Sequence, residues 1–193
     1  MYNLIAHRGI HNKYKENTIN AFKEAIDSSE YLGFECDVRQ TKDNYFIIYH
    51  NPLYEGKLIK TLKYEELKEV PLLNDILNLK TDKIIMLDIK DPFLNIELFK
   101  NELLNSKLNL YIISFYDNVI KKLNTINKNY KLGVLNYILN TTDQEFELDF
   151  LCIMGIVLNK NIINKFIKLE KQLFVYNIKK ENIVEKYPFY IVD

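Results

Sequence analysis

The stretch Leu4–Val38, LIAHRGIHNKYKENTINAFKEAIDSSEYLGFECDV, holds one complete strand–helix–strand unit, and its reading decides the rest. Leu4 to Ala6 is a short apolar run of strand character, followed by His7, Arg8 and Gly9. Asn17 or Thr18 can cap a helix, because a short side-chain oxygen there accepts from the free amides of the first turn. Ile19, Phe22, Ala25 and Ile26 then fall at helical spacing. Phe34 to Val38 reads as the second strand. Beyond this unit the pattern repeats. Tyr45 to Tyr49 reads as extended, with helical stretches near Tyr64 to Lys68 and Leu73 to Leu79. Ile84 to Ile89 is a strand, and Ile96, Phe99 and Leu103 mark a helix. Leu110 to Ser114 is a strand, and Val119, Leu123 and Ile126 share a helical face. Lys131 to Leu135 is a strand, with a short helix near Gln144 to Glu147. Leu151 to Leu158 is a strand, then Ile163, Phe166, Ile167 and Leu169 mark a helix. Leu173 to Ile178 and Tyr190 to Val192 are the last strands. Strand and helix alternating about eight times predicts a parallel α/β fold. Eight units suggest a closed (β/α)8 barrel, a TIM barrel, although 193 residues is under the usual span of about 200 or more. A doubly wound open sheet is the alternative.

The length fits one domain, residues 1–193, and no Pro/Gly/Ser-rich linker divides it. Apolar residues make up 48% and charged residues 27%, a globular composition. Acids and bases balance at 26 each, so a global basic field for nucleic acid is not expected. The longest apolar run, Phe150 to Leu158, is nine residues, whereas a membrane-spanning helix needs about 20. A motif already at His7 leaves no room for a signal peptide. Cys36 and Cys152 read as reduced core thiols, which fits a cytoplasmic protein. The sequon Asn140-Thr141-Thr142 is taken as chance. Arg8 and Arg39 are the only arginines.

The polar residues gather at the carboxyl ends of the expected strands, which converge on one face of a parallel barrel. Glu35 and Asp37 are two apart in a strand, so both point to one side and Cys36 to the other. Asp88, on a neighbouring strand, can add a third oxygen ligand. Three carboxylates suit a hard cation such as Mg²⁺ or Ca²⁺. His7 and His50 can take and return a proton near neutral pH, as the acid and base of a phosphoryl-type reaction. Arg8 can bind a phosphate bidentately, pair with Glu16, or do both. Lys90 can add a point charge. Gly9 serves backbone geometry or close ligand approach. His11 is read as surface polar.

These residues resemble a known family, the glycerophosphodiester phosphodiesterases. The resemblance rests on His7-Arg8-Gly9, then Glu16-Asn17-Thr18 with Ala21-Phe22 and Ala25. Glu35-Cys36-Asp37-Val38, Thr41-Lys42-Asp43 and His50 follow, then Asp88-Ile89-Lys90 and Ser114-Phe115. Weaker similarity runs on through Val175-Tyr176-Asn177-Ile178 to Asp193. The resemblance implies a phosphodiesterase barrel in which one divalent cation is held by Glu35, Asp37 and Asp88. It implies His7 and His50 as general acid and base, with Arg8 and Lys90 on the phosphate. A substrate hydroxyl would attack phosphorus, the alcohol would leave, and water would open the cyclic phosphate.

The chain departs from the family's pattern at four places. Asn51 follows His50 where the family usually has Asp, which would weaken the tuning of that histidine. Asp88 stands for a longer Glu. The cap segment is trimmed to about Leu53 to Lys60. Tyr176-Asn177 replaces a Trp-Thr pair. The expected reaction is hydrolysis of a small glycerophosphodiester to an alcohol and glycerol 3-phosphate. Two alternatives stand beside it. One is a phospholipase D-like activity on lysophospholipids, with a reduced cap opening the site toward a membrane surface for peripheral contact. The other is a catalytically inactive barrel that binds a phosphorylated ligand.

Overall fold

The computed structural model describes residues 2–125, 128–136 and 148–193. In chain order these carry β1 (Asn3–Ala6), α1 (Ile19–Asp27), β2 (Tyr31–Gln40), β3 (Phe46–Ile48), β4 (Leu53–Tyr54), β5 (Lys57–Leu58), α2 (Leu73–Leu77), β6 (Ile84–Ile89), α3 (Ile96–Leu103) and β7 (Asn109–Ile113). They continue with α4 (Asp117–Leu123), β8 (Lys131–Asn136), β9 (Phe150–Met154), α5 (Lys160–Lys168), β10 (Gln172–Tyr176) and β11 (Phe189–Val192).

Eight of these strands close a ring in the order β1, β2, β6, β7, β8, β9, β10, β11 and back to β1. Ile5 decides between barrel and open sheet. It pairs in parallel with Gly33 on one side and with Ile191 on the other, so the first strand has no free edge. The expected (β/α)8 barrel is the architecture, and the open sheet is excluded. β3 lies outside the ring, antiparallel to the far end of β2, with Val38 opposite Ile48.

Alternation along the strands separates two apolar layers. Ile5, Met86, Tyr111, Phe150, Cys152 and Phe174 fill the barrel interior. Cys36, Val38, Leu87 and Ile112 point outward and pack under the helices with Phe22 and Phe99. The interior is aromatic at its centre, with Phe150 and Phe174 centroids 5.0 Å apart and Tyr111 5.2 Å from Phe150. Gly133 makes room for this cluster, because a Cβ there would stand 2.4 Å from the Phe150 ring.

Helix starts follow the usual capping chemistry. Thr18 caps α1, its Oγ1 accepting from Ala21 N, and Asn159 Oδ1 accepts from two amides at the start of α5. Several elements differ from the sequence reading. β9 ends at Met154, and Gly155–Val157 is a 3-10 turn rather than more strand, since a barrel strand stops where its neighbours stop. Tyr64–Glu66 is a single 3-10 turn. The trimmed cap is the β4–β5 hairpin, whose turn residues Glu55 and Gly56 have φ of 47° and 80°. Both central residues are left-handed, as a tight hairpin turn requires. The helix expected near Gln144 to Glu147, Ile126 and the sequon lie outside the described residues. Both cysteines are free and buried, and burial pushes both thiols up.

Phe150 is 1% exposed, so Phe150→Ala is expected to lower stability by about 3–5 kcal/mol. Urea unfolding should show the midpoint falling with the slope unchanged.

Candidate active site

The site is assembled at the carboxyl ends of the barrel strands. In the β2–β6 pairing Glu35 faces Met86 and Asp37 faces Asp88, so the two aspartates lie side by side above an apolar layer. Carboxylate oxygens of Glu35, Asp37 and Asp88 all lie within 4.8 Å of one another, and all three residues are buried.

Cationic and amide groups surround them. Lys90 Nζ donates to Asp88 Oδ2 and lies 3.1 Å from Asp37 Oδ1. Arg8 Nε lies 3.2 Å from Asp37 Oδ2, and Arg8 N donates to Glu35 Oε2 over 3.1 Å. Arg8 Nη1 donates to both Glu16 oxygens, at 3.0 and 2.9 Å. That leaves Nη2 as the guanidinium nitrogen outside these contacts. The turn that aims Arg8 is left-handed at two successive residues, with φ of 57° at Arg8 and 81° at Gly9. A Cβ at Gly9 would meet Ala21 backbone at 2.7 Å, so glycine is needed for α1 to pack there.

These groups set the titration of the carboxylates. Burial pushes Glu35 well above its ordinary value, with Asp37 and Asp88 adding repulsion. Burial lifts Asp88 to about 6, opposed by Lys90 and reinforced by Asp37. Asp37 also feels burial, but Lys90, the Asn17 hydrogen bond and Arg8 outweigh it and hold this carboxyl below its ordinary value. Burial alone would lower Lys90, yet Asp88, Asp37 and Glu35 hold its ammonium well above the usual lysine range. Asp37 Oδ1 and Asp88 Oδ1 are buried and make no hydrogen bond. Asp88 Oδ1 without a hydrogen bond, and Asp37 Oδ1 met only by the Lys90 ammonium, beside a third carboxylate fit a hard divalent cation held by Glu35, Asp37 and Asp88.

His7 follows β1, and its Nδ1 lies 2.7 Å from Asp193 Oδ1, just beyond β11. His50 ends the segment after β3, and its carbonyl accepts from Arg39 Nε and Nη2. Burial lowers the His50 imidazole, with Asp37 opposing and Arg8 and Lys90 reinforcing, which sets the ring in the same charged neighbourhood. His7, Arg8, Glu35, Asp88 and Lys90 line one cleft of ≈ 210 Å³, walled by Phe115 and Tyr176.

Three features depart from the sequence reading. Asn51 holds the loop that follows His50. Its Oδ1 accepts from Leu53 N over 3.0 Å and pins the turn into the hairpin, the local bond that asparagine favours in loops. His11 is half-buried rather than a surface group, with Nε2 3.5 Å from Asp193 Oδ1. Asn17, read as a possible helix cap, is buried instead. Its Nδ2 donates to Asp37 Oδ2 over 2.8 Å, and its Oδ1 accepts from Asp37 N over 3.2 Å. Its place in the Glu16-Asn17-Thr18 motif was the available signal for this role. Asp193 had no such signal beyond the family likeness, because it meets His7 only through ring closure.

Comparison with known proteins gives a consistent picture. Residues 7–172 match the model of the Glycerophosphoryl diester phosphodiesterase family. A glycerophosphodiester phosphodiesterase of Bacillus altitudinis is 33% identical over 103 residues, covering 43% of this chain and 42% of the relative. The matched region spans about half the length of the curated relatives. In solved structures the fold recurs in a glycerophosphodiester phosphodiesterase of Parabacteroides distasonis, with a TM-score of 0.83 and 23% identity, covering 100% of this chain and 92% of that one. It recurs in an Oleispira antarctica phosphodiesterase in complex with the product sn-glycerol-3-phosphate, with a TM-score of 0.82 and 16% identity, covering 97% and 92%.

A carboxyl with a higher pKa in the folded than in the unfolded chain favours folding at low pH and loses that contribution as the pH rises. Glu35→Gln removes one such group. Without divalent cations, the variant is expected to lose less stability than wild type between about pH 4 and pH 7. With added Mg²⁺ or Ca²⁺, thermal unfolding of wild type should shift upward and that of the variant should shift much less.

Proposed function

The chain belongs to the glycerophosphoryl diester phosphodiesterase family, and we propose that it hydrolyses glycerophosphodiesters to an alcohol and glycerol 3-phosphate with one divalent cation. The observation that carries this reading is the buried Glu35–Asp37–Asp88 cluster, opening on a cleft that also holds His7, Arg8 and Lys90.

In this reading Arg8 and Lys90 hold the phosphate. Arg8 keeps Glu16 on Nη1 and turns Nη2 to the substrate, so the ion pair orients the guanidinium rather than competing with it. Asp193 accepts the proton of His7 Nδ1, which leaves Nε2 as the basic nitrogen facing the cleft. His7 then takes the proton from the attacking substrate hydroxyl, and His50 gives one to the leaving alcohol. The two exchange roles when water opens the cyclic phosphate. A cation held by Glu35, Asp37 and Asp88 supplies positive charge against the phosphoryl oxygens. Asn17 keeps Asp37 in place for that task.

The deciding experiment is a panel of glycerophosphodiesters assayed for glycerol phosphate release, with EDTA and with added Mg²⁺ or Ca²⁺. Release that EDTA abolishes and a cation restores is the expected result. Failure of every diester with either cation would reject the activity. His7→Ala and His50→Ala are each expected to cost at least about a hundredfold in kcat, while folding is retained. Asp193→Asn is expected to lower kcat with KM nearly unchanged and to move the limb of the pH–rate profile that reports His7. A structural role alone would leave that profile in place.

A further inference from the structure

The two most exposed large apolar side chains among the described residues are Phe93, 88% exposed, and Ile156, 85% exposed. Both stand at the barrel end that carries the cleft. Phe93 lies between β6 and α3, and Ile156 lies in the turn between β9 and α5. Leu53 and Leu58 on the hairpin and Tyr116 after β7 add exposed apolar surface at the same end. Leu58, Phe93 and Tyr116 line a groove of ≈ 330 Å³ together with Lys60 and Lys90. Lys90 also lines the catalytic cleft, so groove and cleft open side by side.

Lysines stand among these apolar side chains. Lys57 on the hairpin and Lys60 in the turn just after it are exposed, against Glu55 as the one acid of residues 53–60, and Lys179 is exposed beside His7. Glu16 is paired with Arg8 and Asp91 with Arg39, while Glu181 stands exposed in the same depression as Lys179. The hairpin side of the rim therefore offers unburied apolar groups with Lys57 and Lys60 against Glu55, an excess of positive charge on a chain whose net charge is zero. Exposed aromatic and aliphatic groups interleaved with lysines match the boundary between anionic headgroups and acyl chains. A second copy of the chain fits poorly, because face-to-face contact would set these lysines against their own kind.

We infer that the rim of the barrel mouth docks on the surface of an anionic lipid bilayer. Phe93, Ile156 and the hairpin leucines enter the headgroup boundary, and Lys57 and Lys60 lie over anionic headgroups. The docking turns the cleft toward a layer of phosphodiester headgroups. It deepens the phosphodiesterase reading only in that respect, and vesicle binding itself is measured without turnover.

The test is co-sedimentation of the full chain with phosphatidylcholine vesicles, with and without phosphatidylglycerol, at low and high salt. The chain should sediment with the phosphatidylglycerol vesicles, and salt should release it. Phe93→Ser should weaken vesicle binding about tenfold, the scale of losing one buried aromatic side chain. Its turnover of soluble glycerophosphocholine should match wild type. The double variant Lys57→Glu, Lys60→Glu should lose the preference for phosphatidylglycerol. Absence of binding to either vesicle would overturn the inference, as would undiminished vesicle binding by Phe93→Ser. A wild-type dimer in sedimentation equilibrium that Phe93→Ser dissolves would also overturn it, by making the surface a self-interface.

Discussion

Glu35, Asp37 and Asp88 bring three carboxylates within 4.8 Å of one another in a buried layer, and such a cluster repels itself unless positive charge and hydrogen bonds hold it. Most of the unusual backbone and side-chain geometry at the barrel mouth follows from that demand. Lys90 reaches between Asp37 and Asp88, Arg8 covers Asp37 and gives its amide to Glu35, and Asn17 brackets Asp37 with two hydrogen bonds. Arg8 and Asn17 meet the cluster from left-handed conformations, with φ of 57° and 56°. Side chains other than glycine enter that region at a cost, so the strain is concentrated where the carboxylates need partners.

The barrel makes this arrangement affordable by separating a dry layer from a charged one. Below the carboxylates, Met86, Tyr111, Phe150 and Phe174 exclude water and lock the strands in register. Above them the strand ends open on the cleft and on two neighbouring depressions, one toward the hairpin and one toward Lys179. Because the register sets Asp37 beside Asp88, the same pairing that builds the core also fixes the spacing of the acidic cluster. Stability and the site thus share one set of backbone hydrogen bonds.

The trimmed connection after His50 shapes the outer part of this face. The β4–β5 hairpin has only two residues in each strand and leaves Leu53 and Leu58 in solvent, with Leu58 and Phe93 lining one groove. Asn51 belongs to this connection, since its side-chain oxygen accepts from Leu53 N at the start of the hairpin. The substitution that sets this chain apart from the family pattern at residue 51 is therefore a loop feature.

The sequence by itself determined the alternating strands and helices, the common face of Glu35 and Asp37, and the strand Ile84–Ile89 with Asp88 near its end. Each of these is periodicity: side chains two apart in a strand share a face, and apolar residues three and four apart mark a helix. Element ends were less legible, as at Met154, because strand length is set by neighbouring strands. Tertiary structure alone decided which distant residues meet. Asp193 reaches His7 across 186 positions because β11 closes the ring onto β1. Asn17 turned from a helix cap into a partner of Asp37, leaving the cap to Thr18, because the packing of α1 on Gly9 carries its side chain into the barrel mouth. Periodicity carries no information about ring closure or helix docking, and those two events complete the site.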